Sequence, residues 1–336
     1  MKNPNEIRVV FMGTPGFAVA PLKTLFEKGY NVCAVVTAPD KPVGRGLKMS
    51  MSDVKEFALA NGIKIFQPLS LKEESFLDDL KALNAHIFVV VAFRMLPKAV
   101  WSIPEFGTFN LHASLLPQYR GAAPINHAIM NGEKKSGVTT FLIDEKIDTG
   151  EVLLQRECQI GESETAGELH DKLMMMGAYL VCETVDLIIN GQANAINQSS
   201  LEVGNKPLKE APKLDKNTGK IDWNSDSVKI FNLIRGLSPY PASYSTLIKD
   251  NTAIPVKIYS ATREEGSSEL AAGEILTDEK TYLKVSCNNG LISITSIQAA
   301  GKKRLNIREF LAGFRDDFKK SYVSCRGGVC ASAQLN

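Results

Sequence analysis

The stretch Ile7-Arg8-Val9-Val10-Phe11-Met12-Gly13-Thr14-Pro15-Gly16-Phe17-Ala18-Val19-Ala20-Pro21-Leu22-Lys23-Thr24-Leu25-Phe26-Glu27 decides the fold. Its first six residues are apolar except for Arg8, as a strand buried on both faces requires. Gly13-Thr14-Pro15-Gly16 reads as a turn. Residues 17–27 then carry apolar side chains at helical spacing through Val19, Leu22, Leu25 and Phe26. Strand, turn, helix is the opening unit of a parallel sheet covered by helices.

The unit recurs downstream. Residues 32–36 and 63–66 read as strands, with a helix at 53–60 between them and another at 73–83. Residues 87–93 (IFVVVAF) form the most apolar strand pattern of the chain, and 107–111 follow as a further strand. In a wound sheet of this kind ligands gather at the carboxyl ends of the strands, which directs attention to residues 13–16, 93–97 and 110 onward. Two more strands, 138–143 and 151–158, flank a tight connection at 144–150, and an amphipathic helix over 165–189 closes a first domain at 1–190. The polar segment 191–207 reads as a linker. Beyond it, after one helix at 227–237, short strand-like runs at 242–248, 254–259, 273–276, 282–286 and 291–297 are separated by Gly, Asn and Asp, as in a small antiparallel, OB-like barrel. The expected fold is α/β, a Rossmann-like, mostly parallel wound sheet, followed by that barrel over 208–315. Residues 316–336 lack periodicity and are expected to be a disordered tail.

With 336 residues, 44% hydrophobic, 23% charged and 7% aromatic, the composition suits a globular chain of two domains and excludes disordered, collagen-like and coiled-coil proteins. No apolar run nears the ~18 residues of a membrane span, and the amino terminus lacks a basic start followed by an apolar stretch. The cysteines at 33, 158, 182, 287, 325 and 330 are scattered and read as reduced thiols of a cytoplasmic protein; Cys325 and Cys330, without a nearby histidine, do not complete a zinc site. From Lys206 onward there are 20 Lys and Arg against 14 Asp and Glu, a balance of +6, while the preceding residues balance at −4. A basic module behind a mildly acidic one points to a polyanionic partner.

Gly13-Thr14-Pro15-Gly16 is not a dinucleotide fingerprint: it lacks the third glycine, and Pro15 removes an N–H donor. The informative stretch is 110–125, NLHASLLPQYRGAAPI. Asn110 and His112 stand two apart at a strand end and so face the same side. Ser114-Leu115-Leu116-Pro117 makes an abrupt turn, and Arg120-Gly121 follows. Asp148-Thr149-Gly150 supplies a carboxylate from the next connection. An amide, a protonated imidazole and a carboxylate suit acyl transfer through a tetrahedral intermediate: two donors hold the oxyanion and a base relieves the attacking amine of its proton. His86, His127 and His170 lie in no metal-ligand pattern, so no metal is expected. The basic, Gly/Pro-punctuated loop at 39–48 has two readings, a surface loop or a mobile arm whose Lys41, Arg45 and Lys48 meet phosphates.

Together these segments resemble the methionyl-tRNA formyltransferase family, within the folate-dependent formyltransferases. The resemblance extends through FMGTPGFA at 11–18, PDKPVGRG at 39–46, the 110–125 segment, Asp148-Thr149-Gly150, GKIDWN at 219–224, RGLSPYPASY at 235–244 and AAGKKRLNIREFLAGF at 299–314. It implies that Asn110 and His112 polarise the formyl group of 10-formyltetrahydrofolate, a cosubstrate rather than a permanent cofactor, and that Asp148 partners His112. It further implies that Ser114, Leu115, Leu116 and Pro117, with Phe93 and Asp144, shape the folate site. The Arg45 loop, with Lys41 and Lys48, would enter the acceptor end of initiator methionyl-tRNA, and the second domain would grip its backbone. A cytoplasmic monomer is expected. Where the family carries Ala-Tyr-Gly ahead of Ile-Leu-Pro, this chain reads Ala92-Phe93-Arg94-Met95-Leu96-Pro97. Arg94 either reaches the cosubstrate's glutamate tail or points to solvent. The alternatives are a folate-dependent formyltransferase acting on a small amine, a formyl-folate hydrolase, and a non-catalytic RNA-binding module.

Overall fold

The computed structural model describes residues 3–43, 48–201, 207–249, 252–266, 270–313 and 322–323. They fall into two compact units, the first formed by 1–124, 135–159 and 170–212, the second by 125–134, 160–169 and 213–336.

The first unit begins with β1 (Arg8–Gly13), α1 (Gly16–Glu27), β2 (Asn31–Val36) and a hairpin of β3 (Lys41–Val43) and β4 (Lys48–Ser50). There follow α2 (Asp53–Ala60), β5 (Ile65–Phe66), α3 (Glu74–Ala82), β6 (Ile87–Val91), α4 (Lys98–Trp101), β7 (Thr108–His112) and β8 (Arg120–Gly121). After α5 (Pro124–Met130), which falls in the second unit, come β9 (Lys135–Leu142), β10 (Val152–Gln159), the long α6 (Ala166–Ile189), whose first turn also falls in the second unit, and β11 (Glu210–Ala211). The main sheet has the order β10-β9-β7-β6-β1-β2-β5. Its five strands from β5 to β7 are parallel, while β9 and β10 add an antiparallel edge. This is the mostly parallel, wound sheet expected.

The local chemistry explains the elements. Ser52 caps α2 by accepting a hydrogen bond from the Lys55 N–H at 3.1 Å. Every residue of β6 is buried, so only an apolar sequence could occupy it. Chain order reverses between β1 and β6, the switch point at which such sheets bind ligands. Gly13 ends β1 there, and a Cβ on it would lie 2.7 Å from the Ala18 Cβ and 3.0 Å from the Val91 carbonyl oxygen. One face of the sheet buries Val10, Met12, Ala34, Val36, Phe88 and Val90 against α3 residues Phe76 and Leu80. No helix among the described residues is long and apolar enough to cross a membrane.

The second unit continues with α7 (Ser227–Gly236), β12 (Ser243–Lys249), β13 (Thr252–Glu265), β14 (Ile275–Thr277), β15 (Leu283–Cys287), β16 (Gly290–Ala299), β17 (Leu305–Asn306), α8 (Ile307–Gly313) and β18 (Tyr322–Val323). All its ladders are antiparallel, in the order β14-β15-β16-β13-β12-β18, with β17 on β16. Register shifts around Ser260 in the β13–β16 pair mark bulges, which bend and twist a strand. The Val323 N–H donates to the Gly273 carbonyl at 2.9 Å, bringing the last strand back to the approach of β14. The ladder itself stays open at this seam among the described residues. Trp223 sits wholly buried in this unit's core with Ile221, Ile230, Ile258 and Ile294, its indole N–H donating to the Ser245 hydroxyl at 3.0 Å.

Three segments depart from the sequence-based expectation. The loop at 39–48 is a β-hairpin at its base, where the Asp40 carboxylate accepts from Lys55 Nζ at 2.6 Å and from Gln67 Nε2 at 2.8 Å. The polar stretch 191–207 is no simple linker: Ile196 exchanges backbone hydrogen bonds with Val152, and Gln198 is 3% exposed. Within the aperiodic tail, Tyr322 and Val323 pair with Ile248 and Leu247; its other residues, like Arg45, lie outside those described.

Candidate active site

Strand β7 ends at the carboxyl edge of the sheet, between β6 and β9, and carries Asn110 and His112 on one side. Asn110 is half-buried, and its amide makes no hydrogen bond among the described residues. His112 is 7% exposed. Its Nε2 lies 2.8 Å from the Tyr119 carbonyl oxygen. Because a carbonyl only accepts, Nε2 carries a proton, and Nδ1 is the ring nitrogen left for other work. The Asp148 Oδ2 lies 3.8 Å from Nδ1, within ion-pair range but too far for a direct hydrogen bond.

Asp148 is presented by the connection between β9 and β10. This turn is held by Asp144, whose exposed carboxylate accepts from the Thr149 hydroxyl at 2.8 and 2.9 Å and from the Lys146 N–H at 2.9 Å. Asp148 itself has φ +55°, a left-handed conformation that Asp tolerates better than most residues. Its Oδ2 accepts from the Gly121 N–H at 2.9 Å. Gly150 passes so close to β9 that a Cβ would lie 1.7 Å from the Leu142 carbonyl oxygen. Only glycine fits there.

The structure thus brings together Asn110, His112 and Asp148 from two separate segments. It treats the loop after β7 differently. Ser114, Leu116 and Pro117 are buried, and the Leu116–Pro117 peptide bond is cis. The Ser114 hydroxyl donates to the Gln118 carbonyl at 2.6 Å, the Leu116 N–H to the Thr139 hydroxyl at 3.2 Å, and Gln155 Nε2 to the Leu116 carbonyl at 2.7 Å. These polar groups are consumed inside the protein, so they fix the course of the loop. Leu115 is half-buried and lies over Gly137.

Phe93 is half-buried after β6 and packs against the sheet core. Arg94 is exposed after β6. Its guanidinium lies over the Phe93 ring at 5.6 Å and donates to the Pro68 and Leu69 carbonyls at 2.6 and 3.0 Å, tying the β6 exit to the loop after β5. Lys41 is exposed on β3, and the backbone of Lys48 pairs with Val43 across the hairpin. Among the described residues no cluster of three His, Cys, Asp or Glu has metal-binding geometry.

Sequence reasoning missed the supports behind the trio. Gln198 donates through Nε2 to the Asp148 and Gly150 carbonyls at 2.9 and 2.8 Å, and its Oε1 accepts from Arg120 at 2.6 and 3.1 Å. Strand β11 pairs in parallel with β8, and the Tyr119 and Ala123 N–H groups donate to the Lys209 and Ala211 carbonyls. A lone glutamine in a polar stretch gives no periodic signal.

Comparison with known proteins bears on what this site does. Residues 7–185 match the family model described as formyl transferase, and 213–315 match its carboxy-terminal domain. A methionyl-tRNA formyltransferase of Flavobacterium johnsoniae is 51% identical over 316 residues, spanning 94% of this chain and 99% of the relative. One of Parabacteroides distasonis is 49% identical over 312 residues, spanning 92% and 96%. The chain belongs to the methionyl-tRNA formyltransferase family. Its fold is shared more widely. An N-formyltransferase of Helicobacter canadensis, solved in complex with folinic acid and dTDP-3-aminofucose, superposes with a TM-score of 0.64 at 23% identity, over 89% of this chain and all of that one. The family's two matched regions carry the trio in the first and the buried Trp223 core in the second.

Proposed function

We propose that the chain transfers the formyl group of 10-formyltetrahydrofolate to the α-amino group of methionine esterified to initiator tRNA. The observation that carries the site assignment is the half-buried Asn110 amide, unpartnered among the described residues, standing on the same strand face as His112, with the Asp148 carboxylate beside the ring. An amide open to solvent at the end of a buried strand, with no bond to the protein to give up, is free to donate to a ligand.

In this reaction the neutral amine nitrogen bonds to the formyl carbon, and the bond from that carbon to N10 of the folate then breaks. The Asn110 amide N–H donates to the formyl oxygen as it gains negative charge. The Tyr119 carbonyl occupies Nε2–H of His112, so the ring assists the same oxygen through Nδ1–H in its doubly protonated form. Asp148, adjacent to Nδ1, takes up the proton released by the attacking amine, and that proton finally resides on the departing folate nitrogen. Gly121 N–H and the turn around Asp144 hold the carboxylate in place. Ser114, Leu115, Leu116, Pro117 and Phe93 shape the folate side of the cleft.

The basic second region, 208–315, together with Lys41, Arg45 and Lys48, contacts tRNA phosphates. With 16 Lys and Arg against 12 Asp and Glu, the +4 balance of 208–315 supports this role. The chain acts as a cytoplasmic monomer with no permanently bound cofactor. The test is transfer of label from a formyl-labelled folate donor, with methionyl-tRNA, uncharged tRNA and free methionine as acceptors. Label on methionyl-tRNA alone is the expected result. Label on a small amine, or release of formate without an acceptor, overturns the assignment.

A further inference from the structure

We infer that Gln198 is a positioning residue for Asp148, so that it belongs functionally to the catalytic centre. The inference rests on the role given to Asp148 above. Gln198 is 3% exposed and uses its whole amide: Nε2 spans the carbonyls of Asp148 and Gly150, and Oε1 takes two hydrogen bonds from the Arg120 guanidinium.

These bonds close a ring. Arg120 is followed by Gly121, whose N–H donates to the Asp148 carboxylate, and preceded by Tyr119, whose carbonyl receives the His112 ring. Three consecutive residues therefore connect to His112, Gln198 and Asp148 in turn. Gly121 has φ +123°, and a Cβ on it would lie 2.4 Å from the Ala211 carbonyl oxygen, so β11 presses directly against this triplet. Asp148 sits at a left-handed φ in an otherwise exposed turn. Local preference does not enforce that geometry; the two donors from Gln198 hold its backbone, beside the Gly121 N–H on the carboxylate and the Asp144 contacts within the turn. Loss of a support that holds a reacting group within fractions of an ångström costs rate far more than it costs binding.

The test combines Gln198 and Asp148 variants in a double-mutant cycle. Gln198→Met preserves the buried volume but removes every bond. Gln198→Glu keeps the acceptor for Arg120 and removes the donors to the Asp148 turn. Both are expected to lower kcat for formyl transfer by about 10- to 100-fold, with KM for each substrate within about twofold of wild type. In an Asp148→Asn background, either change is expected to cost less than about threefold further, because a residue acting through the carboxylate has nothing left to position. Equal losses in both backgrounds, or KM effects in place of kcat effects, overturn the inference. Gln198→Glu also guards against a folding artefact: a variant that melts like wild type yet keeps full kcat refutes the role outright. If Asp148→Asn alone leaves transfer intact, the failure lies in the catalytic assignment of Asp148, which separates the two ideas.

Discussion

Replacing Asn110 with alanine separates catalysis from stability because of how little this amide does in the free protein. It is half-buried and donates to nothing among the described residues, so truncation leaves no intramolecular partner stranded. The expected change in stability is within about 0.5 kcal/mol. In the transition state the same N–H meets a developing oxyanion, and removing one such donor costs about 2.7–4 kcal/mol, or 10²–10³ in kcat. His112→Ala offers the contrast. It deletes the buried ring's hydrogen bond to the Tyr119 carbonyl, at a cost of about 0.5–1.5 kcal/mol, and lowers the melting temperature of a unit this size by roughly 1–6 °C. Asn110→Asp is a sharper probe still, since it keeps the shape while placing negative charge where negative charge develops; its kcat falls below that of the alanine variant. The assay is initial-rate formylation of methionyl-tRNA at saturating donor, alongside thermal melts of each variant. A kcat for Asn110→Ala within about threefold of wild type, or an Asn110→Asp variant that retains activity, refutes the oxyanion role.

Gly150→Ala forces a Cβ against the Leu142 carbonyl; the expected destabilisation is at least about 2 kcal/mol, read from a denaturant melt, with loss of activity as the Asp148 turn shifts. Arg45→Ala weakens tRNA use and flattens the salt dependence of KM for tRNA while leaving KM for the folate donor unchanged. Burial pushes the Cys182 thiol up to about 11, with Asp186 adding to the shift. At pH 8 about one such thiol in a thousand is ionised, so mass spectrometry after iodoacetamide treatment shows Cys182 unmodified in the native protein and alkylated only in denaturant.

The sequence made the first sheet legible because fully buried strands and amphipathic helices write different periods. The unbroken apolar run of β6 and the Ser52-capped α2 are examples. The shared face of Asn110 and His112 was legible because a two-residue spacing on a strand fixes it. Strand β13 extends to Glu265, well past the apolar run ending at 259, because its outer half is exposed and polar and is held by pairing with β16 and by the Lys284–Glu264 ion pair rather than by apolar burial. Gln198 and β11 were hidden for a similar reason: their contribution is made by hydrogen bonds to residues dozens of positions away, which hydrophobic patterning does not record. Arg94 illustrates the limit for single charges. Two backbone carbonyls, supplied by a loop distant in sequence, decide where it lies.

The wholly buried Trp223 gives the chain a built-in optical label. The only other tryptophan is Trp101, half-buried on the first unit's core. Each unit therefore carries one indole. With Trp101→Phe, emission reports the barrel-like half alone, and its blue-shifted light follows that half through melting or titration with nucleic acid, without any dye.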